Sequence, residues 1–227
     1  YVREYEEETT LRATVLLDCS GSMDYANPDC DTKLNYARRL AACLARIIIS
    51  QSDSVGLVTF DDRLRGFIKP KSSKPHLRVL YDQLNATVPG GETDLAKVFH
   101  EIVPRIQKRG LVFILSDCFT DVHSLLGSLA HFRNASHEVV VFHIMDPDEV
   151  EFPFDLWTRF ENLERFGEFL LVGPASFREA YLENLEQFRE QLETGCQRHR
   201  IALVPMVTNE PLADALTRFI VQRSRPR

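Results

Sequence analysis

The sequence predicts an α/β protein with a doubly wound, mostly parallel sheet that carries helices on both faces. Short apolar runs alternate along the chain with longer segments whose apolar residues recur at helical spacing. The apolar runs are continuous rather than alternating, which is typical of strands buried on both faces of a parallel sheet. The chain has 227 residues, 44% of them hydrophobic, so it is long enough to form one large domain with its own core.

The first half of the chain alternates predicted strands and helices. Short apolar runs predict strands at 11–17, 54–60 and 64–68. Helical spacing of apolar residues predicts helices at 32–50, 75–84 and 94–108. Thr32 is suited to cap the first helix, and Pro75 is suited to the first turn of the second. Pro70 is expected to end the third strand, and Gly110 the third helix.

The second half continues the alternation around one insertion. Strands are predicted at 111–115, 138–145 and 201–207. Helices are predicted at 122–133, 177–197 and 212–222. Two short runs split near Gly167 predict a hairpin at 156–172 that interrupts this rhythm. Trp157, Phe160 and Phe166 are expected to pack in the core or within the insertion, with a partner-facing patch as the alternative. The domain is therefore placed at 11–222, between an acidic lead-in at 1–10 and a basic tail at 223–227.

Charge and cysteine content exclude several classes of protein. The net charge is −6, from 27 basic and 33 acidic residues, so no basic excess supports nucleic-acid binding. The five cysteines are scattered without a C-x-x-C pair, which excludes a disulfide framework or a structural zinc site and predicts a reducing, cytoplasmic location. The chain begins with Tyr1, so we expect a piece of a longer protein whose upstream segment could carry a membrane anchor.

Oxygen-bearing side chains follow the predicted strands at points where a ligand would bind. In an open parallel sheet, ligands lie beyond the carboxyl ends of the strands. Asp18, Ser20 and Ser22 follow the first strand, and their alternation directs them to one side. Thr93 lies in a glycine-rich loop, and Asp117 follows the strand at 111–115. Oxygen donors without His or Cys suit Mg²⁺, with Mn²⁺ or Ca²⁺ as alternatives.

The neutral character of hydroxyl ligands has a functional consequence. An ion bound by serine and threonine hydroxyls keeps much of its positive charge. Gly21 would let the backbone pass close to such an ion. We therefore expect the open position of the ion to attract an Asp or Glu carboxylate from a protein partner.

These motifs resemble the metal-ion-dependent adhesion site of von Willebrand factor A domains, which have a Rossmann-like fold. The resemblance rests on the D-x-S-x-S-M segment, the G-G-x-T loop and the later aspartate. It implies that Ser20, Ser22 and Thr93 coordinate the ion, Thr93 directly or through water. It also implies that Asp18 and Asp117 hold coordinated waters.

A closer resemblance covers nearly the whole chain. Five segments are similar to the bacterial "domain of unknown function 58" family. They begin at Tyr5 (YEEE), Asp53 (DSVGL), Arg109 (RGLV), His137 (HEVVVF) and Asp146 (DPDE). Members of this family are typically encoded near MoxR-type AAA+ ATPases. The resemblance therefore implies a MoxR-like ATPase as a partner, in the assembly, maturation or regulation of other proteins.

Two other functions compete with a non-enzymatic binding module. A Mg²⁺-dependent phosphohydrolase or phosphotransfer enzyme could use a similar sheet, but Ser20 stands where haloacid-dehalogenase phosphatases usually carry a second aspartate. Asp117 is followed by Cys118 rather than by the lysine of a receiver domain. Ser22 lacks the G-x-S-x-G context of a hydrolase nucleophile. The third reading is a structural subunit with a vestigial site.

A second acidic stretch lies at another strand end. Its members are Glu138, Asp146, Asp148, Glu149 and Glu151. The sequence predicts that they form a solvated loop, with the rim of a partner site as the alternative.

Overall fold

A six-stranded sheet forms the centre of the molecule, which we describe from a computed structural model over residues 11–92, 94–154, 157–161, 163–164 and 169–224. Its strands are β1 (Arg12–Asp18), β2 (Ser54–Phe60), β3 (Leu64–Lys71), β4 (Leu111–Ser116), β5 (Glu138–Met145) and β8 (Ala202–Val207). The order across the sheet is β3-β2-β1-β4-β5-β8. Neighbouring strands are parallel except for β2 and β3, which are antiparallel. The predicted fold class is confirmed.

Helices cover both faces of this sheet. They are α1 (Lys33–Ser50), α2 (Lys74–Ala86), α3 (Leu95–Ile102), α4 (Val122–Asn134), α5 (Pro147–Glu151), α6 (Pro174–Arg198) and α7 (Leu212–Ser224). One hydrophobic cluster joins the sheet to α1, α2 and α7, and the other joins it to α3, α4 and α6. Alternate residues of β1 serve the two clusters, with Val15 and Leu17 in the first and Leu16 in the second. Within the described part of the chain, no helix combines the length and apolarity that spanning a membrane requires.

Two prolines explain two differences between the predicted and the observed ends of elements. The helix predicted to reach residue 108 ends at Ile102 and continues only as a 3-10 turn, Val103–Arg105, because Pro104 lacks the N–H that an α-helix needs. The strand predicted to end before Pro70 instead continues to Lys71. Pro70 is tolerated there because β3 lies at the edge of the sheet.

The inserted hairpin consists of β6 (Thr158–Glu161) and β7 (Phe169–Val172), which pair in an antiparallel sheet of their own. Its inner residue Phe160 stacks on Phe152, in an aromatic cluster that includes Tyr181 of α6. Trp157 contradicts the prediction of a packed side chain, since 73% of its surface is exposed. Phe166, the lead-in at 1–10 and the end of the basic tail, 225–227, lie outside the described residues.

Candidate metal centre

The loops that follow β1 and β4 meet at the carboxyl edge of the sheet, because these two strands are parallel neighbours. A third loop is held against the first by two backbone hydrogen bonds. The N–H of Gly21 donates to the Gly91 carbonyl at 3.0 Å, and the N–H of Gly90 donates to the Cys19 carbonyl at 3.0 Å. Asp18, Ser20, Ser22 and Asp117 therefore occupy one small region. Thr93, the fifth predicted residue, lies outside the described residues.

Asp18 is completely buried at the end of β1. Its Oδ1 accepts the backbone N–H of Ser20 at 2.9 Å, and its Oδ2 accepts the hydroxyl of Ser116 at 2.6 Å. Burial, followed by the nearby charge of Asp117, raises the pKa of Asp18 to about 7. The ionised carboxylate is therefore short of compensating positive charge, which is the condition that a bound cation would relieve.

Ser20 and Ser22 place their hydroxyls together between the two aspartates, since Ser20 hydrogen-bonds to Asp18 and Ser22 to Asp117. Ser20 has an extended backbone, and a short 3-10 turn, Gly21–Asp24, follows it. The two Oγ atoms are 3.1 Å apart. Two neighbouring ligands of an octahedral Mg²⁺, each at about 2.1 Å, lie about 3 Å apart. The hydroxyl spacing therefore fits adjacent positions around such an ion.

Gly21 lies at a close approach of two chain segments. A Cβ atom at this position would collide with the backbone carbonyl of Leu163, beyond β6. The glycine thus allows the loop after β1 to lie in close contact with the segment that follows β6. Nothing in the sequence indicated this contact.

Asp117 has a different electrostatic environment from that of Asp18. Its Oδ2 accepts a hydrogen bond from Lys33 Nζ at 2.7 Å, and its Oδ1 accepts the N–H of Phe119 at 3.3 Å. Burial acts to raise the pKa of Asp117, but the Lys33 ammonium and hydrogen bonds from Lys33, Ser22 and Phe119 hold it below its usual value. Asp117 is therefore ionised and already paired.

The prediction of a solvated loop is wrong for Asp146, Asp148 and Glu149, which are buried or mostly buried, whereas Glu138 and Glu151 are exposed. Asp146 caps α5 in a capping box with Glu149, and Asp148 accepts hydrogen bonds from Tyr25 Oη at 2.9 Å and Asn27 Nδ2 at 2.7 Å. Asp146 also accepts the Asn27 N–H at 3.0 Å. The loop before α1 folds over these carboxylates and supplies the donors that water would otherwise provide.

Three residues of this centre were missed or undervalued by sequence reasoning. Lys33 is fully buried at the first position of α1, where its charge opposes the helix dipole, and this unfavourable placement is the signal that could have identified it. Glu149 accepts a second hydrogen bond from Lys33. The hydroxyl of Ser116, on β4, donates a hydrogen bond to Asp18 on the neighbouring strand β1 rather than to a group nearby in the sequence.

The donor chemistry fits a hard divalent cation held by hydroxyls. Among the described residues, no group of three or more His, Cys, Asp or Glu side chains is arranged to hold a metal ion. Ser20 and Ser22 would coordinate the ion directly, and Asp18 and Asp117, each hydrogen-bonded to one of these serines, would accept hydrogen bonds from coordinated water. Mg²⁺ suits such a set because it retains several waters.

Comparison with known families identifies the chain. The model described as "Protein of unknown function DUF58" matches residues 1–192. The chain belongs to the DUF58 family. This confirms the family that the sequence motifs predicted. A comparison with curated proteins finds no match.

Solved structures similar to this DUF58 chain confirm its von Willebrand factor A-like fold. The conserved hypothetical protein BatB from Bacteroides thetaiotaomicron is 13% identical with a TM-score of 0.61, over 95% of this chain and 100% of BatB. The SpRpn10 VWA domain is 13% identical with a TM-score of 0.50, over 92% of this chain and 95% of that domain. The von Willebrand factor type A protein from Catenulispora acidiphila is 10% identical with a TM-score of 0.52, over 94% of this chain and 42% of that protein.

Proposed function

We propose that this DUF58 chain is a non-enzymatic protein-binding module whose partner binds through a divalent metal ion. The von Willebrand factor A-like fold supports an interaction module. The observation that carries the proposal is the pair of serine hydroxyls, 3.1 Å apart, beside the buried carboxylate of Asp18. Ser20, Ser22 and Thr93 would hold Mg²⁺, or Mn²⁺ or Ca²⁺ in its place, while Asp18 and Asp117 would accept hydrogen bonds from its waters.

The chemistry of the partner follows from these ligands. A bound ion supplies a positive charge at an open position, and the hydroxyl ligands leave that charge largely intact. The negative charge of Asp117 is offset by Lys33. An Asp or Glu carboxylate on a protein partner is the group best suited to such a position. Family membership further suggests a MoxR-like AAA+ ATPase in the same system, which would act in the assembly, maturation or regulation of other proteins.

Metal titration by calorimetry tests this proposal. We expect Mg²⁺ and Mn²⁺ to bind wild type at one saturable site, and we expect Asp18→Ala to lose that binding. Ser22→Ala should bind at least about tenfold more weakly because it removes one ligand. Ser73→Ala is the matched control, since this exposed serine makes no capping hydrogen bond through its side chain.

Each variant should first be shown by circular dichroism to be folded. Excess acetate in a second series supplies a carboxylate for the open position. If wild type binds neither metal with or without acetate, the proposal is wrong.

A phosphotransfer enzyme is the alternative, and one observation favours testing it. Asp18, Asp117 and the ammonium of Lys33 lie together, and Mg²⁺-dependent phosphotransfer through an aspartate also uses carboxylates and a cation. Hydrolysis of a generic aryl phosphate by wild type, with loss of this activity in Asp18→Ala, would establish the enzyme and overturn the binding module. We expect no turnover.

A further inference from the structure

The ammonium group of Lys33 is enclosed between the candidate metal centre and α5. Nζ lies 2.7 Å from Asp117 Oδ2 and 2.5 Å from Glu149 Oε1, and only 1% of the side chain is exposed. The ring of Phe119 covers it, with its centroid 5.0 Å from Nζ. The backbone of Lys33 is fixed as well, because its N–H donates to the Tyr25 carbonyl at 3.1 Å.

The charge of Lys33 changes what a metal ion would meet at this site. Asp18 and Asp117 are both buried, and each would attract a cation bound near Ser20 and Ser22. The hydrogen-bond donors to Asp18 are the backbone amide of Ser20 and the hydroxyls of Ser116 and Ser20, all of them uncharged. Asp117 instead carries an ammonium in direct contact. A divalent ion would therefore be attracted by Asp18 and repelled by the positive charge behind Asp117.

We propose that Lys33 is a built-in counter-charge that sets the affinity of the metal site. It offsets the charge of Asp117, so the ion is bound more weakly than two free carboxylates would bind it. The ion then keeps more of its positive charge for an acidic group of the partner. This inference rests on the proposed function, and it assigns to Lys33 a positioning and tuning role rather than contact with the ion.

Glu149 contributes to the same arrangement from the other side. It accepts a hydrogen bond from Lys33, and its Oε2 also accepts the backbone N–H of Asp146 at 2.8 Å. Its carboxylate thus helps to hold the ammonium in its buried position. The charge at Asp117 is in this way linked to the start of α5.

Removal of the ammonium is the first test. In Lys33→Met, a side chain of similar length and no charge, we expect Mg²⁺ to bind at least about tenfold more tightly than in wild type. The metal-free variant should melt at a lower temperature because Asp117 is then buried beside Asp18 without its cation. Lys97→Met is the matched control, since Lys97 is exposed on α3, and it should bind Mg²⁺ as wild type does.

A charge-balanced pair of variants keeps the test informative if Lys33→Met does not fold. Asp117→Asn leaves the ammonium without its carboxylate, so we expect Mg²⁺ binding to fall by at least about tenfold. The double variant Lys33→Met/Asp117→Asn removes both charges, and we expect its affinity to return to within about threefold of wild type. A purely structural lysine would change the melting temperature without this pattern in the affinities.

The outcomes separate this inference from the proposed function. Suppose that wild type binds Mg²⁺, that Lys33→Met binds it no more tightly than wild type does, and that the double variant binds it no more tightly than Asp117→Asn does. The role of Lys33 is then wrong, and the metal site stands. If Lys33→Met binds Mg²⁺ while wild type binds none with or without acetate, Lys33 controls the affinity of the site, but the proposed function of the wild-type protein is wrong. If wild type and every variant fail to bind with or without acetate, both the metal site and the role of Lys33 are overturned.

Discussion

Asp18 and Asp117 follow neighbouring strands, yet their surroundings give them different properties. Asp18 accepts hydrogen bonds from neutral groups, and burial raises its pKa to about 7. Asp117 is held by the Lys33 ammonium, and its pKa is lowered. Their spacing in the sequence indicated that both carboxylates belong to one centre. Which of them is paired depends on Lys33, whose partner Glu149 is 116 positions away along the chain.

Because His143 on β5 is buried, we expect its contribution to the stability of the protein to be lost as the pH falls. Burial lowers the pKa of this imidazole from 6.5 to about 4, although Asp117 acts in the opposite direction. The unfolded chain therefore takes up a proton that the folded protein resists. The stabilising contribution is complete above about pH 6.5 and is lost as the pH falls towards 4.

Urea unfolding in the presence of a chelator measures this effect. Between about pH 8 and about pH 5, His143→Gln should lose less unfolding free energy than wild type does. His123→Gln alters an exposed histidine on α4 and serves as the control, with a profile close to that of wild type. Parallel profiles for wild type and His143→Gln would contradict the assignment. The comparison must be between wild type and His143→Gln rather than of wild type alone, because buried carboxylates such as Asp18 change the unfolding free energy with pH in the opposite direction.

Short elements at the carboxyl edge of the sheet determine the geometry of the site. The 3-10 turn Gly21–Asp24 sets the two serine hydroxyls together, and α5 anchors the loop that leads to Lys33. Helix α5 has only five residues, so it offers too little periodicity to be predicted from sequence. The Asp146-Pro-Asp-Glu segment does contain the signs of a helix start, namely a capping aspartate, a proline and a glutamate at the third position.

Substitution of two glycines by alanine tests how closely the strands and helices pack at these positions. In β2, a Cβ on Gly56 would lie 2.5 Å from the Ile68 carbonyl oxygen of β3. Gly56→Ala should therefore force the two strands apart and lower the free energy of unfolding by about 1–3 kcal/mol. Gly127→Ala, in the exposed face of α4 with no atom within 4 Å of the added Cβ, should raise it by about 0.5–1 kcal/mol.

Urea unfolding curves of the two variants compare these effects. Opposite signs are expected because the substitution is the same and only the surroundings differ. A Gly56→Ala protein as stable as wild type would show that β2 and β3 are not packed as the structure describes.

The sheet as a whole followed from the sequence because its strands are buried on both faces. Continuous apolar runs such as those of β4 and β5 identify central parallel strands. The edge strand β3 was predicted too short, since its exposure allows Pro70 and charged residues that interrupt an apolar run. The exposed position of Trp157 was missed for a related reason, because composition alone does not show which face of a hairpin packs on the domain.

The candidate site combines contributions from distant parts of this fold. Its aspartates and serines were recognised from local motifs after strands, where parallel topology guarantees that they meet. The buried partners of those residues depend on the path of the whole chain. Ser116 and Asp18 are 98 positions apart, and no local spacing indicates their hydrogen bond.

Crystals of the wild-type protein grown with Mn²⁺ would locate the ion by anomalous scattering. A metal-dependent binding module requires one anomalous peak within coordination distance of the Ser20 and Ser22 hydroxyls, with Asp18 and Asp117 bonded to its waters. The same crystals of Ser22→Ala should show a weaker peak or none. A fully occupied peak elsewhere, or no peak in wild-type crystals at saturating Mn²⁺, would contradict the metal-dependent function.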